Sequence, residues 1–295
     1  MMQMNTNAVE KRPCPVCRAP RPEFFCTRDG VDFLRCLSCK CLYQAALPDA
    51  ARLDAIYQSQ YHVHRGHAGD SSLESVKQAT AKSYLQLIDR HGPPGRRYLE
   101  VGCSAGAALA AAAALGWHAE GIELSGDAAE IARARPGVQA VHTGDLLSAV
   151  FAPGSIDVIT FFDVIEHIDP PHETLRAVHR ALAPGGLVLM LTPDACSLSA
   201  RLMKARWPHL FPEHVIIYSR SALADALRRA GLEVLRIGFA MKRVNLNMLI
   251  RHATIHPHIR FGAAVRLLGK IIPRPLQDRA IPFNIGEFYL IARRP

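Results

Sequence analysis

Apolar residues recur along the chain at two spacings, one typical of helices and one typical of buried strands. Between residues 71 and 92, Val76, Tyr84, Leu87 and Ile88 follow a helical spacing, with serines before them and a glycine after them. Short, nearly continuous apolar runs then alternate with helical segments. The runs predict strands at 97–101, 118–124, 138–145, 187–193, 232–240 and 287–294, and a strand with its exit loop at 156–168. Helices are expected at 125–135 and 219–231, and a further helix begins at 171 and is ended by Pro184, Gly185 and Gly186, besides an alanine-rich helix ending near residue 116.

Strands that alternate with helices predict an α/β fold, with a doubly wound, mostly parallel, Rossmann-like sheet of seven strands. Because the strands are apolar throughout, we expect helices to cover both faces of the sheet. Ligands of such sheets bind beyond the carboxyl ends of the strands, where the glycine-containing stretch 98–125 lies. We expect this domain to span 71–295, after a small module at 1–46 and a linker at 47–70.

Length and composition fit a globular protein of one large domain and a small module. The 295 residues are 49% hydrophobic and 21% charged. No apolar stretch follows a basic start, and the longest run of small apolar residues, 105–117, is only about half a membrane span. A soluble, cytoplasmic protein is therefore expected.

The net charge of +9 is concentrated in the last third of the chain. From Cys196 onward there are 17 Lys and Arg against 5 Asp and Glu, a net of +12, whereas the first 195 residues carry −3. A basic surface of this kind could attract nucleic acid, anionic lipid or a phosphorylated substrate, or it could simply be solvated.

Four cysteines near the N-terminus have the spacing of a zinc site. Two C-x₂-C pairs, 18 residues apart, can direct four thiolates at one ion. The predicted zinc ligands are Cys14, Cys17, Cys36 and Cys39. No ligand position would stay open, so the zinc would be structural and would help to fold a module too small to own a core. Cys26 and Cys41 are left over, and Cys41 could replace Cys39 only at a less favourable spacing.

The linker at 47–70 is rich in His and Tyr. His62, His64 and His67 could hold a second metal, although clusters of this kind are more often exposed loops.

The stretch YLEVGCSAGAALAAAAALGWHAEGIELS, 98–125, contains a glycine turn between a strand and a helix. A dinucleotide fingerprint would be G-x-G-x-x-G, but Ser104 stands where the second glycine is expected. The run 98–106, with an acid two residues before Gly102 and a second glycine at Gly106, resembles motif I of class I S-adenosylmethionine-dependent methyltransferases. The segments GDLL, DVITFFDVIEHIDP and LAPGGLVLMLTP resemble later motifs of the same family, in the same order.

This resemblance implies a cofactor site for S-adenosylmethionine. Glu123 would accept hydrogen bonds from the ribose hydroxyls, Asp145 would contact the adenine amino group, and Glu100 would lie near the methionine amino group or stabilise the turn instead. Asp157 opens its strand and is interpreted as structural. The full predicted set of cofactor-binding residues is Glu100, Gly102, Cys103, Ser104, Gly106, Glu123, Leu124, Asp145, Leu146 and Asp163.

The cysteine module, Tyr57 and Tyr61, the DVIEH segment and the closing IPFNIGEFYLIARR together look like one bacterial subgroup. Its members resemble ubiquinone-type O-methyltransferases in the core and sugar C-methyltransferases in the zinc module. The long C-terminal domain of the sugar enzymes has no counterpart here, which disfavours sugar C-methylation.

Methyl transfer to a hydroxyl group needs alignment of donor and acceptor and removal of a proton. His167, just past the fourth strand, is the first candidate base, with His214 and Glu166 as alternatives; each histidine could equally be a packing residue. Residues 241–284 are apolar and basic. They are expected to form one or two helices that cap the acceptor pocket, or a helix at a membrane surface.

The resemblance therefore implies an enzyme that methylates a small-molecule, sugar or lipid-linked acceptor, at oxygen. An RNA base methyltransferase is the main alternative, since certain ribosomal RNA methyltransferases also join a zinc ribbon to this fold and the basic tail suits a phosphate backbone. A non-catalytic scaffold that keeps the cofactor fold is the other alternative.

Overall fold

The computed structural model describes residues 12–48, 71–247, 250, 267, 271–273, 277–284 and 286–295. The candidate histidines His62, His64 and His67, and most of the expected cap at 241–284, lie outside these residues. Among the described residues, no helix has both the length and the apolar character needed to cross a membrane.

The N-terminal module is a small antiparallel sheet beside two cysteine turns. Its strands are β1 (Pro22–Arg28), β2 (Val31–Cys36) and β3 (Leu42–Gln44), paired in that order. The fourth strand of this sheet, β9, comes from far along the chain, because Tyr43 and Leu42 pair with Ile216 and Ile217. The module at 1–46 is therefore not a self-contained sheet.

The main domain alternates helices and strands. Its elements are α1 (Ser71–Asp89), β4 (Arg97–Val101), α2 (Ala107–Ala114), β5 (His118–Glu123), α3 (Gly126–Arg133), β6 (Val138–Thr143), β7 (Ile156–Phe162), α4 (Pro171–Ala181), β8 (Leu182–Pro193), α5 (Leu198–Met203), β9 (Ile216–Ile217), α6 (Arg220–Arg229), β10 (Glu233–Phe239), β11 (Lys242–Val244), β12 (Ile281–Phe283) and β13 (Glu287–Arg293). Two 3₁₀ turns are also present among the described residues: Ile165–His167 follows β7, and Lys204–Arg206 follows α5.

Seven of these strands form one sheet in the order β6-β5-β4-β7-β8-β13-β10. The strands from β4 to β8 are parallel to one another, and only β13 is antiparallel to its two neighbours. The order of strands reverses at β4, so the loop after β4 lies at the switch point of the sheet. The predicted Rossmann-like fold, mostly parallel and seven-stranded, is confirmed.

Alternating side chains of the sheet fill two cores, one on each face. Tyr98, in β4, packs with helices α1 and α2, whereas the adjacent Leu99 packs with helices α4 and α6. In β8, Val188 and Leu189 divide in the same way. All four side chains are fully buried, which explains why the strands are apolar at every position rather than at alternate ones.

One predicted boundary is wrong. Strand β8 begins at Leu182 rather than at 187, because buried Leu182 already pairs with Ile156, and helix α4 therefore ends at Ala181. Strand β7 ends at Phe162, and its exit loop begins at Asp163, which adopts a positive φ of 56°.

The ends of the predicted cap differ from expectation as well. Residues 242–244 and 281–283 form the two-stranded ladder β11–β12 rather than helix.

Candidate functional site

The loop after β4 takes a conformation that excludes side chains at two positions. Gly102 and Gly106 have φ values of 70° and 77°, and a Cβ atom at Gly102 would lie 2.5 Å from Cγ2 of Val164. The Gly102 and Cys103 N–H groups donate to the carbonyl of Ile122 on β5, at 2.8 and 3.0 Å. Gly102 thus brings bare backbone against β5 and against the turn after β7, and Gly106 brings it against the end of helix α3.

Ser104 itself has a φ of 50°, in the left-handed region where glycine is usually found. A dinucleotide fingerprint has glycine at this position. Here a serine adopts the same kind of backbone conformation. The side chain of Cys103 is buried and points away from the loop surface, toward β5. A Cβ atom at Gly121, on β5, would lie only 2.7 Å from the Sγ atom of Cys103.

Glu123 ends β5 and joins this loop to the next one. Its Oε2 accepts from the Ser104 N–H at 2.8 Å, and its Oε1 accepts from the Ser125 N–H at 2.9 Å. Ser125 in turn caps α3 through the Ala128 N–H. The carboxylate is therefore held at the carboxyl ends of β4 and β5 and keeps further acceptor capacity on both oxygens.

Two further ionisable groups, Glu100 and Lys77, lie beside the loop. Glu100 is 4% exposed, and no described residue hydrogen-bonds its Oε2. Burial, aided by the charge of Glu123, raises the pKa of Glu100 well above its usual value. Lys77, on α1, is exposed to solvent. The protein around its ammonium group nevertheless lowers its pKa, and the negative charges of Asp163 and Glu100 act in the opposite direction.

The sequence analysis missed Lys77, because an exposed lysine of helix α1 belongs to none of the recognised motifs.

Asp145 follows β6 and stabilises its own loop. Its Oδ1 accepts from the Leu147 and Ser148 N–H groups at 3.0 and 2.7 Å, and these bonds, that of Ser148 first, lower its pKa. Leu146 is buried, whereas Leu124, after β5, is 52% exposed at the edge of the cleft. The predicted contact of Asp145 with adenine stays a prediction.

Asp157 lies at the opposite end of the sheet from the loop. Its carboxylate makes a bidentate pair with Arg97, at 2.7 and 2.8 Å, and also accepts from the Arg97 backbone N–H. These hydrogen bonds lower the pKa of Asp157. The carboxylate joins the start of β7 to the start of β4, as its structural interpretation requires.

A buried polar cluster lies past the ends of β7 and β8. Lys242 Nζ, on β11, is 2.6 Å from an Asp163 oxygen and 2.8 Å from a Glu287 oxygen. Burial raises the pKa of Glu287 to about 7, although the charge of Lys242 opposes that shift. Glu166 is fully buried; its Oε2 accepts from Thr192, no described residue hydrogen-bonds its Oε1, and burial raises its pKa well above the usual value.

Two histidines of this cluster have their ring orientations fixed by backbone carbonyls. His167 Nδ1 is 2.8 Å from the carbonyl oxygen of Glu213, and His214 Nδ1 is 2.8 Å from that of His209. A carbonyl can only accept, so Nδ1 carries the hydrogen and Nε2 carries a lone pair in each neutral ring. Burial lowers both pKa values. Both side chains are therefore neutral bases at neutral pH.

The structure brings together the three residues that the sequence analysis proposed separately as bases. The rings of His167 and His214 are 5.0 Å apart, and ligand atoms of Glu166, His167 and His214 all lie within 4.8 Å of one another. The group can accept a proton from a bound molecule, and two imidazoles with one carboxylate could also hold a divalent cation. Val164, which touches the glycine loop, lies between Asp163 and Glu166.

The four predicted zinc ligands converge in the N-terminal module. Their sulfur atoms lie within 4.8 Å of one another, with Cys14 3.6 Å from Cys39 and Cys17 3.4 Å from Cys36. A tetrahedral zinc ion with Zn–S bonds of about 2.3 Å would separate its sulfurs by roughly 3.8 Å, which fits. Cys41 is buried but lies outside this group.

The two C-x₂-C turns share one backbone geometry. Arg18 and Lys40 follow their cysteine pairs with φ values of 62° and 63°, and each N–H returns to the carbonyl of the first cysteine. Burial would raise the pKa of Cys36, but hydrogen bonds led by the Cys39 N–H lower it to about 7. Identical turns facing each other are what a four-sulfur site requires.

Comparison with known proteins gives the main domain a family. Residues 73–237 match the model of a methyltransferase domain family. The ubiquinone biosynthesis O-methyltransferase of Aromatoleum aromaticum is 31% identical over 162 residues, which cover 50% of this chain and 69% of that protein. The protein of the same name from Burkholderia thailandensis is 30% identical over 166 residues, covering 52% and 72%.

Solved structures show the same fold at low sequence identity. One chain of the complex between the Haloferax volcanii Trm112 methyltransferase activator and a methyltransferase aligns with a TM-score of 0.53 and 18% identity, over 79% of this chain and 97% of that one. A SAM-dependent methyltransferase from Archaeoglobus fulgidus aligns with a TM-score of 0.50 and 17% identity, over 73% and 94%. With more than half of its length matched by the family model, the chain belongs to the class I S-adenosylmethionine-dependent methyltransferases.

Proposed function

We propose that the protein transfers a methyl group from S-adenosylmethionine to a hydroxyl oxygen of a small-molecule acceptor. The observation that carries this proposal is the pair of neutral imidazoles, His167 and His214, beside Glu166 and next to the glycine loop. Transfer to oxygen needs a proton acceptor of this kind, because a hydroxyl group is a weak nucleophile until its proton leaves. The relatives named as O-methyltransferases support oxygen as the methylated atom.

The residues of the cleft fit the cofactor. Glu123 has acceptor capacity left for two ribose hydroxyls, and its bond to the Ser104 N–H holds it against the glycine loop. Glu100 offers an unpartnered carboxyl oxygen for an ammonium group, and Lys77 offers a cation for a carboxylate. When bound, S-adenosylmethionine supplies a methyl group already activated by its sulfonium.

His167 is the proposed proton acceptor. It is only half-buried, whereas Glu166 and His214 are buried, so its side chain is the most accessible of the three. The acceptor oxygen forms a bond to the methyl carbon, the carbon–sulfur bond breaks, and the hydroxyl proton moves to His167 Nε2. The products are the methyl ether, S-adenosylhomocysteine and a protonated imidazole, which the negative charge of Asp163 would stabilise.

A labelled-methyl transfer assay over fractions of a cell extract, with and without nuclease, tests the proposal. We expect label in a nuclease-resistant small-molecule fraction. Label in RNA, lost after nuclease, would favour the RNA alternative that the basic C-terminal third suggests. Failure to bind S-adenosylmethionine in calorimetry would favour a scaffold.

The variant His167→Asn tests the role of the base. Asparagine keeps a donor near the position of Nδ1 for the Glu213 carbonyl but removes Nε2. Methyl transfer should fall at least 100-fold, because a general base usually accelerates a reaction by roughly 10²- to 10⁴-fold. S-adenosylmethionine affinity should stay within twofold. Full transfer activity in this variant would exclude His167 as the base.

We further propose that Cys14, Cys17, Cys36 and Cys39 hold a structural zinc ion. The symmetric turns and the sulfur separations support it. Metal analysis of the purified protein should find one zinc per chain.

A further inference from the structure

The cysteine module extends into the wall of the acceptor site. Strand β3 pairs with β9, and the Gln44 N–H donates to the Val215 carbonyl at 3.1 Å, immediately after His214. The Ser219 hydroxyl donates to the Cys39 carbonyl at 2.6 Å on the other side of β9. The chain that carries His214 is therefore built onto the module as the next strand of its sheet.

Gln44 reaches further into this segment with its side chain. It is 1% exposed, and its Nε2 donates to the Pro212 carbonyl at 2.7 Å and to the His214 carbonyl at 3.2 Å. A side-chain amide nitrogen has two hydrogens, so both are used. Between these two carbonyls lies that of Glu213, which fixes the ring of His167. One side chain thus holds the backbone on both sides of the atom that orients the proposed base.

A second contact from the module reaches the same region. Arg12 donates through Nε to the Gln44 carbonyl at 2.8 Å, and its Nη1 lies 2.6 Å from Asp169, two residues after His167. Gln44 is therefore itself held in place, at a point between the module, the turn after β7 and the loop before β9. An apolar residue could fill this space but would leave the Pro212 and His214 carbonyls without their buried donor.

We propose that Gln44 is a positioning residue of the acceptor site, which sets the ring orientations of His167 and His214 by holding the carbonyls of Pro212 and His214. The value of this arrangement for catalysis rests on the proposed function, but the positioning itself does not. If Gln44 has this role, the N-terminal module helps to form the acceptor site, because a residue three positions after Cys41 determines the geometry of two side chains on the main domain.

The test uses the full chain and two variants. Gln44→Leu keeps the approximate size and removes both donors; Gln44→Glu keeps the shape and sets a carboxylate against two carbonyls. Gln139→Leu, at an exposed glutamine on the edge strand β6, is the matched control. Ring nitrogen chemical shifts of His167 and His214, measured by NMR at pH 7.5, report the tautomer, and diethylpyrocarbonate labelling with mass spectrometry reports access to each ring.

We expect labelling of both rings to accelerate about tenfold in the two Gln44 variants, since losing one such hydrogen bond corresponds to roughly a tenfold change in an equilibrium. Their nitrogen shifts should move toward the average of the two tautomers. Calorimetry should find S-adenosylmethionine affinity within twofold of the parent, and Gln139→Leu should change neither readout. Once an acceptor is known, its KM and the turnover should change while cofactor affinity stays constant.

Unchanged ring shifts and labelling in a folded Gln44 variant would overturn the proposal. So would a loss of S-adenosylmethionine binding in step with the ring changes, because that would indicate general damage rather than positioning. If Gln44→Leu fails to fold, Gln44→Glu decides between these outcomes. Failure of the proposed function would appear separately, as an absence of methyl transfer in the parent with the ring effects intact.

Discussion

The substitution Glu123→Gln should weaken S-adenosylmethionine binding about 100-fold. In the structure each carboxylate oxygen of Glu123 already accepts one backbone hydrogen bond, from Ser104 or from Ser125. One acceptor site then remains on each oxygen for the two ribose hydroxyls. The amide of the variant keeps only one acceptor oxygen, and its NH₂ must face a backbone N–H that it cannot satisfy.

The magnitude follows from counting these bonds. One ribose hydrogen bond is lost and the other loses its charge, and bonds to a charged acceptor are worth roughly 1.5–3 kcal/mol each. A loss of about 3 kcal/mol corresponds to roughly 100-fold in Kd. The backbone bond lost within the loop should lower the free energy of unfolding by about 1 kcal/mol.

Isothermal titration calorimetry with S-adenosylmethionine, and with S-adenosylhomocysteine, measures the effect. Glu120→Gln is the matched control, because Glu120 lies on the same strand and faces His142 at 3.5 Å rather than the loop. Its Kd should not change. A Glu123→Gln protein that melts within a few degrees of the parent and binds the cofactor within threefold would refute the assignment of this carboxylate to the ribose.

Three further predictions follow from the fold, the buried histidines and the cysteine site. Asp157→Ala should lower the free energy of unfolding by about 2 kcal/mol in urea titrations, through loss of the bonds from Arg97, without changing cofactor affinity. Because burial lowers the pKa of His214, the unfolded chain binds protons more readily below pH 6.5; stability should fall as the pH drops from 6.5 to 5, by up to about 1.4 kcal/mol per pH unit for this residue. His214→Gln should flatten that slope in urea titrations, and equal slopes in the two proteins would contradict the burial of His214. The pKa of Glu287, which is raised to about 7, acts with the opposite sign but should contribute equally to both proteins. Cys17→Ser should abolish stoichiometric zinc in metal analysis and lower Tm, and a full complement of zinc in that variant would contradict the four-sulfur site.

The central strands of the sheet could be predicted from the sequence because they are short, mostly apolar runs that are buried on both faces. Tyr98 and Leu99, which are adjacent in β4, illustrate this. Each faces a different core and each is fully buried. The start of β8 could not be predicted in the same way. Leu182 continues the helical spacing of α4, and only its pairing with Ile156 makes it a strand residue.

The glycine loop was predictable because the residues that shape it lie within one stretch of chain. Glu123 and the two glycines are brought together by one βαβ unit, whose geometry the spacing alone specifies. Ser104 was less clear, because only the backbone shows that a serine here adopts the φ of a glycine.

The polar cluster past β7 and β8 was harder to predict because its members come from distant segments. Glu166, His167 and His214 were proposed as separate candidate bases, and their proximity depends on the loop before β9. Lys242 belongs to no recognised motif, and Glu287 was noted only as part of the closing segment 281–294. The β11–β12 ladder that carries Lys242 was not expected.

The strand shared by the two parts of the molecule also bears on how the chain matures. Gln44 and His214 are 170 positions apart, so a growing chain exposes β3 long before its partner β9 has been synthesised. During that interval the edge of β3 that later pairs with β9 is open, and the zinc ion that we propose between the two cysteine turns would help to keep the module ordered. Metal supply would then matter most during synthesis, because β9 needs an ordered β3 as its pairing partner.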